Sequence, residues 1–512
     1  MTAPYETLAL HGYSPWSAER ILRAVDAGTP IADLPGDFTL IATGGTPHAP
    51  RAKLVSSLVA ARPYYLARAQ DGTYVHGPTV FDVVRKGRLG WRWNHRAVNS
   101  LALLGHTAGE DSLHPDVTRV PCASIVTIEG DRARVDRHDR AWSDVFAGAR
   151  DGQLDEAAEA LDVAFREMSS PDAVVSLSAG FDSRLLLALA LRAGLRPLAL
   201  TMGFASSTDV QVARQIARSL GLEHRVVELQ AADYLRHARA IVETTSGTKT
   251  AANWHTDLYV RAAGLSPGTV HYVGSNGEFA RTFFVDAGVA ALVADRAPSR
   301  LAEAYLAARF VRRARRFPRA LLANRPDALA CARHAAALPV RLTERFLDAL
   351  DCFYATVRAR HFIGNGLALY AAHGAPRSPF LDARWIRAVA RLPRADRLGS
   401  NFHRYAIAAA WPGLLGFPAG AEPAMARRAP PFYALRRPRI VGYSPFAAVA
   451  ADSATRELII EANSLDGLLD RRARLEAVER YPAAIELLLT LAVAGELGQA
   501  AAASASSVLR TS

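Results

Sequence analysis

Residues 154–229 alternate between helical and extended patterns, and this alternation restricts the fold more than any other feature of the 512-residue chain. Apolar residues recur at helical spacing over 154–168, before Pro171 and Asp172 end the helix. The pattern then predicts a strand at 173–177, a helix at 182–193, a strand at 197–203, a helix at 208–220 and a strand at 224–229. Such alternation is typical of a parallel α/β sheet.

The loop at 178–183, Ser-Ala-Gly-Phe-Asp-Ser, joins the first of these strands to the next helix. Ligands of parallel α/β sheets bind beyond the carboxyl ends of the strands. Small residues let backbone N–H groups approach an anion there, and the hydroxyls of Ser178 and Ser183 add donors. Asp182 would repel bare phosphate, so the loop implies pyrophosphate bound with Mg²⁺. No Gly-Lys-Ser/Thr follows, which disfavours γ-phosphate transfer and favours cleavage between the α- and β-phosphates.

The first 130 residues show short apolar runs broken by turn residues, a pattern that predicts strands of a sandwich-like or α+β domain. These runs lie at 37–42, 64–67, 73–76 and 124–128. A mostly polar, glycine-containing stretch at 137–153 places the boundary between a domain at 1–145 and a second domain at 150–500. Beyond residue 285 the pattern is mostly helical, and the Ala/Ser-rich residues 501–512 are expected to form a disordered tail.

Composition narrows the classes of partner. The chain carries a net charge of +12, but its arginines are spread along its length without a nucleic-acid-binding motif, so we expect no nucleic acid partner. The most apolar stretches are interrupted by charges and fall short of about 20 residues, which argues against a membrane partner. Three widely spaced cysteines and an N-terminus without a signal-peptide pattern favour a reducing, cytoplasmic location.

Three further segments extend the pattern that begins with the loop. The first, at 201–224, opens with Thr-Met-Gly-Phe; the second is Gly-Ser-Asn-Gly-Glu at 274–278; the third is Arg-Ser-Pro-Phe-Leu-Asp at 377–382. In order and spacing, these segments and the loop resemble the S-G-G-x-D-S, adenine-binding, G-x-G-S-D and R-x-P-F-L-D segments of the asparagine synthetase family. Four ordered matches argue against coincidence. Within the last segment, Arg377 and Asp382 are expected to form a structural ion pair near the site.

The N-terminal part resembles the family's class II glutamine amidotransferase domain, an Ntn-type α+β fold, through 36–38, 62–65 and 117–126. The family's glutaminase uses a cysteine at the processed N-terminus, whereas Thr2 stands here. The resemblance therefore implies a degenerate amidotransferase-like domain without glutaminase activity, followed by a PP-loop ATP pyrophosphatase-type synthetase domain with a helical extension. β-Lactam synthetases and lasso-peptide macrolactam cyclases are similar in this respect and use an amine of the substrate itself.

The resemblance implies an ATP-dependent amide ligase that adenylates a carboxylate and releases pyrophosphate, after which an amine displaces AMP. Asp182 and Glu278 would be the catalytic carboxylates that bind Mg²⁺. The residues implied to bind ATP or pyrophosphate are Ser178, Ala179, Gly180, Phe181, Asp182, Ser183, Met202, Gly203, Gly274 and Ser275. The family's phosphate-facing cation is a C-terminal lysine, but no lysine follows Lys249, so we expect an arginine instead. The candidates are Arg427, Arg428, Arg436, Arg437 and Arg439.

The substrate is a small-molecule or peptide carboxylate. β-Lactam synthetases have a tyrosine, and asparagine synthetase a glutamate, at the position of Ser275, which cannot act as the amine-deprotonating base. The D-x-P pattern associated with an aspartate substrate is absent at 245–255. By exclusion, the preferred function is a peptide macrolactam cyclase that works with a precursor peptide and a processing protease. A β-lactam-type or other small-molecule amide synthetase is the alternative.

Two functions of other classes compete with the ligase. Residues 176–180, Ser-Leu-Ser-Ala-Gly, resemble a degraded G-x-S-x-G nucleophile elbow of an α/β-hydrolase, in which Ser178 would be the nucleophile. That interpretation leaves Asp182 and the N-terminal domain unexplained. The other competitor is a non-catalytic nucleotide-binding relative, because three positions depart from the family pattern: Ala179, Ser275 and Glu278.

Overall fold

Two antiparallel sheets form the N-terminal part of the computed structural model, which describes residues 5–46, 49–148, 150–285, 289, 297–314, 316–318, 325–419 and 445–507. Their strands are β1 Thr7–Tyr13, β2 Asp37–Thr46, β3 Ala49–Ser56, β4 Tyr65–Arg68, β5 Tyr74–Gly77, β6 Val117–Arg119, β7 Ser124–Glu129 and β8 Arg132–Arg137. One sheet has the order β1-β2-β3-β7-β8 and the other β5-β4-β6. The strands predicted near residues 37, 64, 73 and 124 are thereby confirmed.

Side chains alternate between the two faces of these strands, and both faces of each sheet bury apolar residues: Leu54 and Leu66 belong to one buried cluster, Val55 and Tyr65 to another. Leu54 and Val126 of the larger sheet cluster with Leu66 of the smaller one and with Tyr64 just before it. The two sheets therefore share an apolar contact, as the sandwich-like pattern predicts.

A five-stranded parallel sheet follows, and its topology fixes where a ligand can bind. Its strands are β9 Val174–Ser176, β10 Leu198–Met202, β11 His224–Val227, β12 Val270–Tyr272 and β13 Ala375–Arg377. The order is β11-β10-β9-β12-β13, with every pairing parallel. The chain moves outward from β9 in one direction and returns on its other side at β12. This reversal opens a crevice beyond the carboxyl end of β9, where sheets of this kind bind ligands.

Helices cover the sheets and make up most of the chain after β12. Those before β12 are α1 Ala18–Asp26, α2 Val80–Gly87, α3 His95–Leu104, α4 Arg140–Ala147, α5 Leu154–Glu167, α6 Phe181–Arg192, α7 Thr208–Leu220, α8 Ala231–Thr245 and α9 His255–Ala263. Those after it are α10 Arg300–Ala314, α11 Arg325–Leu342, α12 Phe346–Phe353, α13 Gly364–Ala371, α14 Ala383–Arg391, α15 Arg394–Arg397, α16 Asn401–Ala410, α17 Phe446–Ala451, α18 Ser453–Glu461, α19 Arg471–Arg480 and α20 Pro482–Ser507. A π-helical segment, Tyr354–Ile363, links α12 to α13. The predicted mixed α/β class is confirmed.

The segments at the ends of the predicted domains contain helices. The polar stretch at 137–153 contains α4, because Trp142, Val145 and Phe146 form a one-sided apolar face that is buried. The expected disordered tail instead continues α20 to Ser507, since alanine is the strongest helix former. Residues 508–512 lie outside the described part of the chain, and the division into domains at 1–145 and 150–500 stays a prediction.

The C-terminal helix α20 is apolar over most of its circumference, with Glu486 and Glu496 as its two charged residues. Contrary to the expectation that the apolar stretches are too short, this helix is long and apolar enough over Pro482–Ser504 to cross a membrane, and 72% of its most apolar window is buried inside the protein. No other helix among the described residues passes the same test. Burial on all sides is the pattern of a core helix.

Buried polar contacts join the N-terminal sheets to later elements. Arg119 Nη2 donates to the carbonyls of Ala61 at 2.7 Å and Arg360 at 2.9 Å. Arg360 Nη1 donates in turn to Val59 O at 3.2 Å. A Cβ added to Gly364, at the start of α13, would lie 1.6 Å from Ala61 O, so only glycine fits this crossing. The segment Tyr354–Ile363 is thus fixed against the N-terminal part.

The expected ion pair between Arg377 and Asp382 is wrong. Asp382 is buried and accepts from Arg384 Nε at 2.8 Å and from the Gly36 N–H at 3.1 Å. Arg377 instead stacks 3.8 Å from the ring centroid of Tyr13. Asp382 caps the start of α14, where the N–H of Arg384 is already within reach, so local geometry decides its partner.

Lys249 is a buried charge between α8 and α9. It is 4% exposed, and its Nζ donates to Phe362 O at 3.3 Å and lies 4.3 Å from the Phe362 ring centroid. No carboxylate among the described residues pairs with it. Burial, assisted by the nearby Arg358, lowers the pKa of Lys249 from 10.5 to about 7.

This pKa makes stability depend on pH. The unfolded chain holds the Lys249 proton up to about pH 10.5, whereas the folded protein releases it near pH 7, so the free energy of unfolding should rise with pH between these values. One proton corresponds to about 1.4 kcal/mol per pH unit. Between about pH 7.5 and about pH 9, urea denaturation should show a rise larger by up to about 2 kcal/mol in the native protein than in Lys249→Met. Parallel profiles for the two proteins would contradict the assignment.

Candidate functional site

The loop at 178–183 leaves the carboxyl end of the central strand β9 and enters α6. Its two serines close it: the hydroxyls of Ser178 and Ser183 are 3.0 Å apart, and the Ser178 N–H donates to Ser183 Oγ at 3.1 Å. The Gly180 N–H donates to Ser178 Oγ at 3.1 Å. The loop is therefore a tight, internally bonded turn at the crevice of the parallel sheet.

The backbone N–H groups of 178–180, which were expected to bind an anion, already have partners within the protein. The N–H groups of Ser178 and Gly180 bond to serine hydroxyls, and the Ala179 N–H donates to Asp209 Oδ1 at 2.8 Å. No side chain caps α6, which begins at Phe181. The N–H groups offered to an anion are therefore those of the first turn of α6, rather than those of 178–180.

Arg184, which the sequence interpretation missed, donates a hydrogen bond to the loop from the first turn of α6. It is fully buried, and its guanidinium donates to Ala179 O at 2.9 Å and to Phe417 O at 3.0 Å. A buried guanidinium must find acceptors, and here they are backbone carbonyls. Its signal in the sequence is an arginine just before the apolar run that forms the middle of the helix.

Asp182 is the charged centre of the site. Arg281 Nη2 donates to its Oδ2 at 2.5 Å, and His403 Nε2 lies 2.7 Å from its Oδ1. Burial alone would raise the pKa of Asp182, but Arg281 and His403 outweigh burial, so that the pKa falls below 3.8. The carboxylate is therefore ionised at neutral pH, at the positive end of α6.

The turn at 274–278 presses against Asp182 from the end of β12. A Cβ at Gly277 would lie 2.5 Å from Asp182 Oδ1, and one at Gly274 would lie 3.1 Å from Asp182 Cβ. Asn276 takes a positive φ of 74° and donates through Nδ2 to Phe380 O at 2.5 Å. Gly277 is therefore required by its close approach to the carboxylate, and Gly274 packs tightly against Asp182 Cβ.

Glu278 stands on the same turn and faces the same cavity. Its Oε2 accepts a hydrogen bond of 2.9 Å from the hydroxyl of Tyr354, at the start of the π-helical segment. Burial, reinforced by Glu278, raises the pKa of Tyr354 well above 10.0, so its hydroxyl stays protonated and acts as a donor. Tyr354 thus fixes the position of Glu278.

A cavity of about 400 Å³ unites these groups. Eight of the predicted binding and catalytic residues line it: Ser178, Gly180, Asp182, Ser183, Met202, Gly274, Ser275 and Glu278. Ala179, Phe181 and Gly203 do not. The side chains of Ala179 and Phe181 are buried under the loop, and Gly203 shapes the turn after β10 with a φ of 147°.

Other lining residues come from distant parts of the chain and were missed. They are His255, Thr256, Tyr259, Arg358, Phe362, Ile363 and Tyr370, besides strand and loop residues next to the predicted ones. The five candidate arginines at 427–439 lie outside the described residues. Arg358 is spaced one turn from Tyr354 within a buried helical stretch, and that spacing is the only signal it leaves in the sequence.

The environment of Ser178 argues against a serine hydrolase. A nucleophilic serine needs a neighbouring base, and in the described residues its hydroxyl contacts the Ser183 hydroxyl and the Gly180 N–H. The histidine contacts of this region are made to other residues: His271 Nε2 lies 2.7 Å from Ser176 Oγ, and His403 Nε2 lies 2.7 Å from Asp182 Oδ1. The Ser178 hydroxyl is therefore held by hydrogen bonds within the loop.

Comparison with known proteins identifies the family of the central segment. The sequence model of the asparagine synthase family matches residues 156–270, which include most of α5, the loop at 178–183 and strands β9 to β11. No curated protein matches the chain. The site described above begins inside the matched segment and is completed by residues after it. The match supports what the motifs indicate, a relationship of this segment to the asparagine synthetase family.

Proposed function

We propose that the protein is an ATP-dependent amide ligase that forms AMP and pyrophosphate. One observation carries the proposal: the start of α6, Asp182 and Glu278 share a single cavity at the reversal point of a parallel sheet. The segment that supplies the loop is the one that matches the asparagine synthase family. An uncapped helix start suits phosphates, and paired carboxylates suit a divalent cation.

Mg²⁺ fits the donor set of this site. Asp182 Oδ1 is buried and makes no hydrogen bond of good geometry among the described residues, although His403 lies nearby. Glu278 adds a second carboxylate. No group of three His, Cys, Asp or Glu residues among those described could hold a metal alone, so the phosphates of ATP would complete the coordination, as is usual for Mg²⁺. Once bound, the ion would neutralise charge on the phosphate chain.

The side chains then have separate tasks in the reaction. The substrate carboxylate attacks the α-phosphorus, the bond to the β-phosphate breaks, and pyrophosphate leaves towards the first turn of α6 and the hydroxyls of Ser178 and Ser183. An amine next attacks the acyl-adenylate, loses a proton and displaces AMP. Tyr354 holds Glu278, and Arg184 holds the loop, so both binding surfaces are ordered before substrate arrives.

We further propose that the N-terminal sheets are a degenerate class II amidotransferase-like domain and the parallel sheet a PP-loop ATP pyrophosphatase-type domain. Thr2 provides no thiol nucleophile, so the amine would come from the substrate and not from glutamine. The antiparallel arrangement of β1 to β8 supports this architecture. We expect catalysis to need neither nucleic acid nor a membrane, in a cytoplasmic setting.

Among possible reactions, peptide macrolactam formation remains the preferred proposal, with a small-molecule amide synthetase as the alternative. Ser275 lines the cavity but offers no base, so the β-lactam-type proton relay has no counterpart at that position. A precursor peptide and a processing protease would be the partners of a cyclase.

Loss of the Asp182 charge tests the ligase proposal. With MgATP and a panel of aspartate- and glutamate-containing peptides and amino acids, the native protein should exchange labelled pyrophosphate into ATP. Asp182→Asn should lower the rate by about 100-fold or more, because a charged group acting on the reacting phosphates is removed. Asp151→Asn, which breaks a surface pair with Arg391 of 2.9 Å, should leave the rate unchanged. Formation of ADP and phosphate, or equal rates in all three proteins, would sink the proposal.

The chemical product distinguishes a macrolactam cyclase from a small-molecule amide synthetase. A macrolactam cyclase should convert a linear peptide to a product lighter by one water, in proportion to AMP formed, as followed by mass spectrometry. Activation of free amino acids alone, with every peptide recovered unchanged, would favour the small-molecule synthetase.

A further inference from the structure

The cavity has an uneven set of charges for a site that would hold a polyphosphate. Among the described lining residues that carry a full charge, three are acids, Asp182, Asp209 and Glu278, and Arg358 alone is basic. Two of these acids would be offset by a divalent cation. A triphosphate would still bring negative charge that needs a protein cation.

The guanidinium of Arg358 stacks on aromatic rings, and this leaves its N–H donors available for a ligand. Its Cζ lies 4.3 Å from the ring centroid of Phe283 and 4.6 Å from that of Phe362. Within the described residues it forms neither an ion pair nor a hydrogen bond, and its Nε is buried without a partner. Stacking fixes the plane of a guanidinium while its N–H groups stay free to bind an anion.

The position of Arg358 favours the phosphate end of the cavity over the adenine end at Met202. Arg358 follows Tyr354 by one turn of the π-helical segment, and the Tyr354 hydroxyl bonds to Glu278. Arg358, Glu278 and Asp182 all act electrostatically on that hydroxyl, so the three charges surround one point.

Other cations near the site are already engaged. Arg281 is paired with Asp182, and Lys249 is buried behind the Phe362 ring with its Nζ bonded to the Phe362 carbonyl. Neither lines the cavity.

We propose that Arg358 binds the phosphate chain of the nucleotide and is the arginine that takes the place of the family's C-terminal lysine. The ligand of this subsite is the polyphosphate of ATP or free pyrophosphate. The inference rests on the proposed function, because it assumes that ATP enters this cavity. It moves the phosphate-facing cation from the arginines at 427–439 to the π-helical segment.

Binding measurements on the full chain test this role without a known carboxylate substrate. Titration calorimetry would use Mg-pyrophosphate, MgATP and adenosine as ligands. Arg358→Ala should weaken Mg-pyrophosphate and MgATP by about 10- to 100-fold, the effect of losing a charge-assisted contact, while adenosine binding stays unchanged. Arg358→Lys should recover part of the loss. Arg20→Ala is the matched control, since Arg20 also stacks on an aromatic ring, 4.0 Å from Trp16, but in the N-terminal part.

A folding defect can be separated from loss of a contact. Arg358→Met keeps the length and the packing on the two rings, so it should retain the native melting temperature and show the same loss of pyrophosphate affinity as the alanine variant. Equal weakening of adenosine and pyrophosphate, or native affinity for both anions in Arg358→Met, would overturn the inference. If the native protein binds no MgATP, the proposed function itself fails; if it binds MgATP and the variants do too, only the role of Arg358 fails.

Discussion

The carboxylate of Asp182 is the constraint on which the rest of the site depends. It stands at the first turn of α6, is enclosed by the glycines of the turn at 274–278, and is compensated by Arg281. A buried charge is tolerated only where opposite charge and hydrogen bonds surround it. The glycines let this enclosure form, Arg281 keeps the group ionised, and the helix start adds positive potential beside it. The ionised carboxylate therefore depends on all three features together.

The N-terminal sheets also have a physical role in this arrangement. The segment Tyr354–Ile363 carries both Tyr354 and Arg358, and its end is fixed to the N-terminal part by Arg360 and by the close approach of Gly364 to Ala61. Helical backbone of π type is uncommon and often marks functional sites. The N-terminal part therefore supports one wall of the cavity.

Local patterns in the sequence predict much of the fold, while long-range contacts complete the site. The alternation over 154–229 predicts β9 to β11 and the helices between them, because periodicity is a property of neighbouring residues. The loop and the turn at 274–278 are likewise recognisable as short motifs. Arg281, Tyr354 and Arg358 leave no such pattern, since their roles arise only when segments about 100 to 180 residues from the loop meet it in space.

The difference between local patterns and contacts in the folded structure also explains which expectations about hydrogen bonds and ion pairs were wrong. An ion pair is the common role for residues such as Arg377 and Asp382, but here the start of a helix supplies Asp382 with nearer donors and Arg377 stacks on the ring of Tyr13. The backbone donors of 178–180 were inferred from small residues, but serine hydroxyls and Asp209 already satisfy them. Hydrogen-bond satisfaction is decided by the assembled structure rather than by residue type.

The most direct test of the central claim, a pyrophosphate-releasing nucleotide site at the reversal point of the parallel sheet, is a crystal structure with Mg²⁺ and α,β-methylene ATP. Our account predicts the β- and γ-phosphates against the first turn of α6, with the cation between the phosphates and the carboxylates of Asp182 and Glu278, and adenine beside Met202. A nucleotide bound elsewhere, or one whose phosphate chain points away from Asp182, would contradict it.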